Sequence, residues 1–342
     1  MDERPSRMPG RWATMQDVAR LAGVSTITVS RVLRQPEKVK PATRDRVQAA
    51  VQALGYVPDQ IAGSLSSRES RQVAAIVSTL AGSIFASTVD GLAQTLREEG
   101  HQLLLGTSEY SATSEEALIA TALSRRPDGL VLTSGEHTPQ ARRMLADAGV
   151  PVVEVWDIPE TPFDMAAGFS NVEAGRAITR FLVETGRQRI GFIGGLHEGD
   201  RRGQLRHQGY AMALREAGLG EPRSIPDSTI VSMVERGARN FAALLDRWPD
   251  TDAIFCASDS VALGTLSEAR RRGIAVPDRL AVAGFGDFEF AGDFGLGLTT
   301  VRVPGRAMGA AAGRLILDRK RGAPDMVNIV DLGFEIVRRG SA

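Results

Sequence analysis

The segment TMQDVARLAGVSTITVSRVL, residues 14–33, constrains the fold of this chain more than any other part of it. Thr14 precedes Asp17 by three residues, which is the spacing of a capping box at the start of a helix. Gly23 provides a turn, and Ser25 can cap a second short helix. Two short helices joined by a tight turn are the pattern of a helix-turn-helix, whose second helix enters the major groove of DNA.

The two predicted helices each have one apolar and one polar face. In the first helix Val18, Leu21 and Ala22 fall on a single stripe. In the second helix the apolar residues again share a face, and the remaining positions are available to DNA. We expect the DNA-contacting residues of this helix to be Thr26, Ile27, Thr28, Ser30 and Arg31.

An ordinary helical hairpin in a protein core is the alternative reading of this segment. A third amphipathic helix, roughly residues 41–54, and the local charge both favour DNA binding. Residues 1–72 contain 12 Lys and Arg against 7 Asp and Glu, whereas the remaining residues contain 29 against 34. A basic first segment in a chain of zero net charge is the electrostatic pattern of contact with phosphates.

Length and composition limit the number of domains and the class of protein that the chain can form. A chain of 342 residues is long enough for two or three domains. Cys256 is the only cysteine, so no intrachain disulfide is possible, and its apolar neighbours place it in a core. No run approaches the ~18 apolar residues of a membrane span, and the N-terminus lacks the apolar segment of a signal peptide. These features predict a cytoplasmic protein.

The chain divides into segments that differ in composition and predicted structure. Residues 1–12 form a disordered lead, 13–58 the helix-turn-helix headpiece, and 59–72 a hinge and linker. Within the linker Ile61, Ala62 and Leu65 repeat at helical spacing, enough for one or two turns that would need a partner to be stable. A flexible tether is the equally weighted alternative.

From residue 73 onward apolar runs alternate with amphipathic stretches at a period of about 25–30 residues, as in βαβ units. Near-continuous apolar strands indicate parallel sheets that are covered on both faces. Seven such units exceed one comfortable domain, so we expect an α/β core of two doubly wound parallel sheets, divided near Asn171. The first lobe would comprise about 73–170 and 303–330, and the second about 171–302 and 331–342.

Polar residues follow the predicted strands, where ligands of doubly wound sheets bind. The candidates for a ligand site at these strand ends are Ser83, Thr133, Glu136, His137, Asp157, Ser258 and Asp287. Several have simpler alternatives: a hydrogen-bonded loop residue for His137, and a turn residue for Asp287. Asp259 opens a helix and could act only as its cap.

Enzyme motifs are absent from the sequence. GFIGG, residues 191–195, lacks the GxGxxG spacing of a dinucleotide site, and no phosphate loop or GxSxG elbow occurs. The four histidines do not have metal-ligand spacing. The sequence therefore predicts neither catalysis nor a cofactor.

These motifs together resemble the lactose-repressor (LacI/GalR) family of bacterial transcription regulators. The resemblance covers nearly the whole chain and rests on DVARLAGVSTITVSRVL, TRDRVQAAVQALGYVPD, IAGSL, FCASDSVALG, VAGFGD and LTTVRVP. It implies a homodimer that binds a near-palindromic operator, and a core like a periplasmic binding protein whose two lobes close over a small effector.

The resemblance also implies roles for individual residues. Thr26 and Ile27 would begin the recognition helix, and Arg31 would contact a base or a phosphate. Leu65 would wedge between base pairs in the minor groove, with Ala62 keeping the hinge helix slim. Arg206, in QLRHQGY, matches the family's effector-binding arginine.

Within the family, GLVLTSGEHTP, VVEVWDIPETPFDMAAGFSN and VDLGF look most like repressors of gluconate utilisation. Gluconate needs a cation for its carboxylate, which we assign to Arg206. Phe85 and Trp156 could cover its apolar edges. 2-Ketogluconate, 6-phosphogluconate and another sugar remain alternatives. A non-regulatory solute-binding protein is the alternative from another functional class.

Overall fold

The structure is a computed structural model that describes residues 12–57, 70–80, 84–133, 135–197, 199–226, 232–293, 295, 297–324 and 327–342. The described chain forms two compact units, an N-terminal headpiece up to Ser70 and a core from Arg71 to Ala342. The predicted hinge residues Ala62 and Leu65, and the predicted cleft residue Ser83, lie outside the described residues.

The headpiece contains the three predicted helices, α1 (Met15–Ala22), α2 (Thr26–Arg34) and α3 (Pro41–Leu54). The predicted capping box is confirmed, because Thr14 Oγ1 accepts from the Asp17 amide at 3.3 Å and the Asp17 carboxylate accepts from the Thr14 amide at 3.0 Å. Gly23 makes the turn in the left-handed conformation, at φ 61°.

One predicted core position of α1 is wrong. Leu21 is 54% exposed, and Ala19 is buried beside Val18 and Ala22 instead. Leu21 and Ala19 flank the Val18–Ala22 line on opposite sides, and α2 and α3 pack against the Ala19 side. The helical period fixes the stripe only to within about one residue, so tertiary packing decides which flank is buried.

The core begins with a series of alternating strands and helices. These elements are β1 (Gln72–Val77), α4 (Ala86–Glu98), β2 (Gln102–Thr107), α5 (Ala112–Ser124), β3 (Gly129–Leu132), α6 (Pro139–Ala148), β4 (Val152–Val155) and β5 (Met165–Gly168).

The second half of the core continues the alternation. Its elements are α7 (Asn171–Glu184), β6 (Ile190–Ile193), α8 (Arg201–Glu216), β7 (Arg223–Ser224), α9 (Met233–Arg247), β8 (Ala253–Cys256), α10 (Asp259–Arg271), β9 (Ala281–Gly286), β10 (Thr299–Arg302), α11 (Gly305–Arg321), β11 (Ile329–Asp331) and β12 (Glu335–Val337).

The strands form two sheets, each of six strands among the described residues. Lobe 1 has the order β11-β5-β4-β3-β1-β2, and lobe 2 has the order β12-β10-β9-β8-β6-β7. All of the neighbouring strand pairs are parallel except β10 and β12, which are antiparallel. The fully buried runs in β3, β4, β6 and β8 explain why these strands read as continuous apolar segments. The predicted two-lobed α/β class is confirmed.

The chain passes between the lobes after β5, after β10 and between β11 and β12. Because the strands of each sheet are parallel, their carboxyl ends and the loops that follow them lie at one edge of the sheet. The residues of the candidate site come from these loops, from the first turns of α7 and α10, and from the first two turns of α8.

Candidate DNA-binding surface and effector site

The polar face of α2 is exposed to solvent. Thr26 and Arg31 are exposed, and Ile27 is 71% exposed although it is a large apolar residue, while Val29 and Val32 on the other face are buried. Thr28 is half-buried and takes part in the cap: its amide donates to Ser25 Oγ at 3.2 Å, and the two hydroxyls lie 2.9 Å apart. Ser30 is half-buried and lines a shallow groove with Thr26, Ile27 and Arg31.

Within the described residues, three cavities lie between the lobes of the core, one of which, of about 810 Å³, is lined by residues that include Trp156, Asp287 and Arg302. The outer cavity, of about 850 Å³, is lined from lobe 1 by residues that include Ser78, Thr133 and Asp157, and from lobe 2 by Arg202 and Leu205. The inner cavity is much smaller, about 30 Å³, and its lining residues include Tyr110, Asp200, Arg206, Ser258 and Phe288. Tyr110 lines both the inner and the outer cavity.

Arg206 lies in the second turn of α8 and is 4% exposed. Its Nη1 donates to Asn171 Oδ1 at 2.9 Å, and its guanidinium carbon lies 4.3 Å from the centre of the Phe285 ring. Its Nε is buried and has no hydrogen-bond partner among the described residues. Burial lowers the pKa of Arg206 to about 10, Asp200 opposes that shift, and Arg202 adds to it. Arg206 is therefore a buried cation that lines the inner cavity and has one donor without a partner among the described residues.

Asn171 holds Arg206 in place and is itself held by lobe 1. Its Nδ2 donates to the Trp156 carbonyl at 2.6 Å and to Asp157 Oδ1 at 3.0 Å. Trp156 has φ 75°, an uncommon conformation for a residue that is not glycine. Asp157, a predicted site residue, thus acts on Arg206 through Asn171, which the sequence analysis did not select.

Arg202 is a second buried cation in the cleft, at 8% exposure. It belongs to lobe 2, but its Nη1 donates to the Thr133 carbonyl and its Nη2 donates to Ser78 Oγ at 2.9 Å, both in lobe 1. Its guanidinium carbon lies 4.9 Å from the centre of the Phe85 ring. α8 begins at Arg201, so Arg202 lies in its first turn, and its contacts with Ser78 and Thr133 bury it.

A row of four aromatic side chains lies beneath the two arginines. Phe85 contacts Trp156 edge to face at 5.1 Å, Trp156 lies 6.0 Å from Phe169, and Phe169 lies 6.0 Å from Phe285. Arg202 stacks at one end of this aromatic row and Arg206 at the other. Each arginine thus gains a cation–π contact while it is largely buried.

Tyr110 and Asp200 complete the surroundings of the arginines. Burial and the nearby Asp200 carboxylate raise the pKa of Tyr110, whose hydroxyl is hydrogen bonded to Arg202. Asp200 caps α8 by accepting from the Gly203 amide at 3.0 Å. The backbone of Tyr110 leaves no room for a side chain at residue 199, since a Cβ on Gly199 would lie 2.2 Å from the Tyr110 carbonyl oxygen.

Several predicted effector residues have other partners. His137 is enclosed between two glutamates of lobe 1: its Nδ1 lies 3.0 Å from Glu115 Oε2 and its Nε2 lies 3.3 Å from Glu154 Oε1. Burial by itself would lower the pKa of His137, but the bonds to the two glutamates raise it to about 9. His137 lines the outer cavity, and both of its ring nitrogens already lie beside glutamates.

Asp287 is likewise engaged. Its carboxylate lies 2.6 Å from Arg302 Nε and 2.7 Å from Arg339 Nη2, so it neutralises two arginines rather than awaiting a ligand hydroxyl. Glu136 is exposed and forms a 3.1 Å ion pair with Arg201 across the lobes. Phe85 is fully buried under Arg202, and so it supports the arginine instead of covering a ligand.

The remaining candidates are positioned as follows. Thr133 Oγ1 accepts from the Ser78 amide at 2.9 Å, and its carbonyl accepts from Arg202. Ser258 caps α10 and faces the inner cavity. Asp259 is structural, since it accepts from Thr300 Oγ1 at 2.6 Å and from the Phe288 amide at 2.7 Å, and burial raises its pKa to about 6.

Two features are absent from the described residues. No group of three or more His, Cys, Asp or Glu side chains has the arrangement of a metal site. No described helix combines the length and the apolar character needed to cross a membrane.

A headpiece with an exposed helix-turn-helix face and a two-lobed core with a cationic cleft define a ligand-responsive DNA-binding protein. Comparison with known families agrees. Residues 14–59 match the model of bacterial regulatory proteins, lacI family, and residues 179–342 match that of a periplasmic binding protein-like domain. The chain belongs to the lacI family of bacterial regulatory proteins and is a DNA-binding transcriptional regulator.

Relatives align over almost the entire chain. The HTH-type transcriptional regulator GntR of Pseudomonas aeruginosa is 36% identical, over 99% of this chain and 98% of its own. The regulator of the same name from Escherichia coli K12 is 34% identical, over 96% and 98%. The crystal structure of a LacI-family regulator from Silicibacter pomeroyi superposes with a TM-score of 0.88 at 33% identity, over 96% of this chain and 99% of that one. Members of the family bind operator DNA and small-molecule effectors and form dimers.

Proposed function

We propose that this regulator is a cytoplasmic, homodimeric repressor of genes for gluconate utilisation, and that gluconate binding between the lobes releases it from its operator. The names of the full-length relatives support the choice of gluconate. The observation that carries the proposal is the buried guanidinium of Arg206, which lines the inner cavity and whose Nε has no partner among the described residues.

The chemistry of the site fits a sugar acid. A carboxylate bound to Arg206 would gain charge-assisted hydrogen bonds and would neutralise a buried cation. Asn171 and Asp157 keep the guanidinium oriented, while the Tyr110 and Ser258 hydroxyls offer partners for sugar hydroxyls. 2-Ketogluconate and 6-phosphogluconate carry the same carboxylate and are the nearest alternatives.

The DNA-binding half of the proposal rests on α2. Thr26, Ile27, Ser30 and Arg31 would read the operator in the major groove, with Ile27 packing on an apolar feature such as a thymine methyl. Thr28 would have a smaller part because its hydroxyl lies beside Ser25. Ala62 and Leu65 would act in the minor groove, as the resemblance to the family implies.

Calorimetric titration with D-gluconate tests the effector assignment. We expect saturable binding to the full-length protein, and a loss of about 10- to 100-fold in affinity for Arg206→Ala, the range expected when a hydrogen-bonded ion pair is removed. In a reporter assay Arg206→Ala should keep repression on in the presence of gluconate. Arg215→Ala is the matched control, because Arg215 is an exposed arginine at the end of the same helix.

The titration also separates the alternatives. Tighter binding of 2-ketogluconate or 6-phosphogluconate than of gluconate would leave the assignment as a regulator unchanged and would identify that compound as the effector. A solute-binding protein without a regulatory role predicts no specific DNA binding. A steep fall of operator affinity with salt, with a slope near −0.9 per phosphate contact, would exclude that role.

A further inference from the structure

The cleft contains two buried arginines rather than one. Arg202 and Arg206 are four residues apart on α8, so their side chains lie on the same face of the helix. Both are more than nine-tenths buried, and each stacks on one end of the aromatic row. Within the described parts of the chain, neither guanidinium forms a direct ion pair with a carboxylate.

Among the described residues, the hydrogen-bond partners of Arg202 are neutral. They are the Thr133 carbonyl, the Ser78 hydroxyl and the Tyr110 hydroxyl. A buried charge is stabilised well only when an opposite charge is bonded to it, and neutral acceptors compensate less of the lost hydration. The two carboxylates that act electrostatically on Arg206 are already engaged, since Asp200 caps α8 and Asp157 bonds to Asn171.

The size of the inner cavity is a second reason to expect the ligand to contact Arg202. About 30 Å³ holds one or two waters, and a six-carbon acid does not fit. Such a ligand must also take space from a neighbouring cavity, either the outer one, which shares Tyr110 with it, or one of about 810 Å³, which shares Ile84 and Phe288 with it. Tyr110, which lines both the inner and the outer cavity, is bonded to Arg202. A ligand that reaches Arg206 from the outer cavity therefore passes Arg202.

We propose that Arg202 is a second anion-binding residue of the cleft, and that Arg202 and Arg206 together bind the oxyanion of the effector. Arg202 also reaches Ser78 and Thr133 of lobe 1 from lobe 2, so the bound anion becomes part of the contact between the lobes. This inference deepens the proposed function, on which it rests, by assigning the effector class as a sugar that carries a carboxylate or phosphate held by two guanidinium groups.

The test uses the full-length protein and two probes. Arg202→Gln keeps a polar side chain of similar reach but removes the charge, and Arg215→Gln removes a charge from the exposed end of the same helix. Calorimetry with D-gluconate and with the neutral D-gluconamide measures the preference for the anion. Thermal unfolding with inorganic sulfate, compared with chloride at equal ionic strength, measures anion binding whatever the effector is.

We expect Arg202→Gln to weaken gluconate binding by about 10- to 100-fold, to leave gluconamide binding unchanged, and to abolish stabilisation by sulfate. Arg215→Gln should behave like the wild type in all three measurements. If Arg202→Gln does not fold, Arg202→Lys replaces it; this variant keeps the charge, so it should retain the sulfate response and lose part of the gluconate affinity.

Wild-type behaviour of Arg202→Gln with gluconate and sulfate would overturn the proposal. An equal loss of affinity for gluconate and for gluconamide would also overturn the proposal, because Arg202 would then act only on lobe closure. If the wild type binds no sugar acid but is stabilised by sulfate through Arg202, the two-arginine site stands and the gluconate proposal fails. Titration with 6-phosphogluconate identifies the oxyanion: tighter binding than gluconate that is lost in Arg202→Gln assigns a phosphate, and the reverse order assigns the carboxylate.

Discussion

His137 illustrates how a single buried charge makes stability depend on pH. The glutamates on either side hold its ring in the protonated form, with a pKa of about 9 against an ordinary 6.5. A pKa that is raised by folding contributes stability that is complete below the unfolded value and is lost as pH rises through the folded value. The contribution of His137 should therefore disappear between about pH 6.5 and pH 9.

The variant His137→Gln tests this contribution. Near pH 6 the core of the wild type should exceed the variant by about 3 kcal/mol in its free energy of unfolding, the value of the pKa shift. Near pH 9.5 the difference should be much smaller. Urea unfolding of the core at both pH values measures this difference in the free energy of unfolding. A gap that does not change with pH would mean that His137 stabilises lobe 1 by packing alone.

At the same residue scale, the sequence predicted Arg206, Asp157 and Ser258 at the cleft but not Arg202, Asn171 or Tyr110. A residue that follows a strand is recognisable from its position, since strand ends meet at one edge of a sheet. The burial of Arg202 depends on Ser78, which lies 124 residues away, and on the exact first turn of α8. Contacts over such distances have no local signal in a single sequence.

At the scale of elements, glycines allow α7 and α8 to approach until their backbones touch. A Cβ on Gly209 would lie 1.9 Å from the Val172 carbonyl oxygen, and a Cβ on Gly175 would lie 2.2 Å from that of Arg206. This close crossing brings the start of α7, with Asn171, next to Arg206 of α8. The helix pair therefore sets the geometry of the effector site.

We expect Gly209→Ala to push the two helices apart. Overpacking of this kind costs about 1–3 kcal/mol in the free energy of unfolding, and the displaced Arg206 should bind gluconate more weakly. Thermal unfolding and calorimetry on the same sample measure both effects. Gly292→Ala is the control, because a Cβ there meets open space. Unchanged gluconate affinity in Gly209→Ala would show that the cleft tolerates movement of α8.

The predicted elements were accurate where caps and apolar runs were strong. α3 has the predicted bounds, and α1 begins at the predicted capping box of Thr14 and Asp17. α11 was not predicted, and neither was β5, whose sequence MAAG has little β character. Both owe their existence to tertiary packing: α11 packs on α4, and β5 pairs with β4 and β11.

At the scale of the whole molecule, basic charge and the cationic cleft belong to different compact units. The headpiece contains the exposed Arg31 on α2, and the core contains Arg202 and Arg206. A regulator of this kind needs each unit to bind its own ligand, and a coupling free energy to connect the two events. That coupling acts in both directions, because effector and operator must change each other's affinity by the same factor.

Arg31→Ala separates binding from coupling. The variant should bind operator DNA about 10-fold more weakly or worse, with a smaller salt slope if Arg31 contacts a phosphate. It should bind gluconate as the wild type does when DNA is absent, since Arg31 lies in the other compact unit.

In the wild type, saturating gluconate should lower operator affinity by about 5- to 150-fold, and operator should lower gluconate affinity equally. Fluorescence anisotropy with operator and calorimetry with gluconate measure the two factors. Tighter operator binding with gluconate would make the effector a corepressor, and a change in the gluconate affinity of free Arg31→Ala would contradict the independence of the two sites.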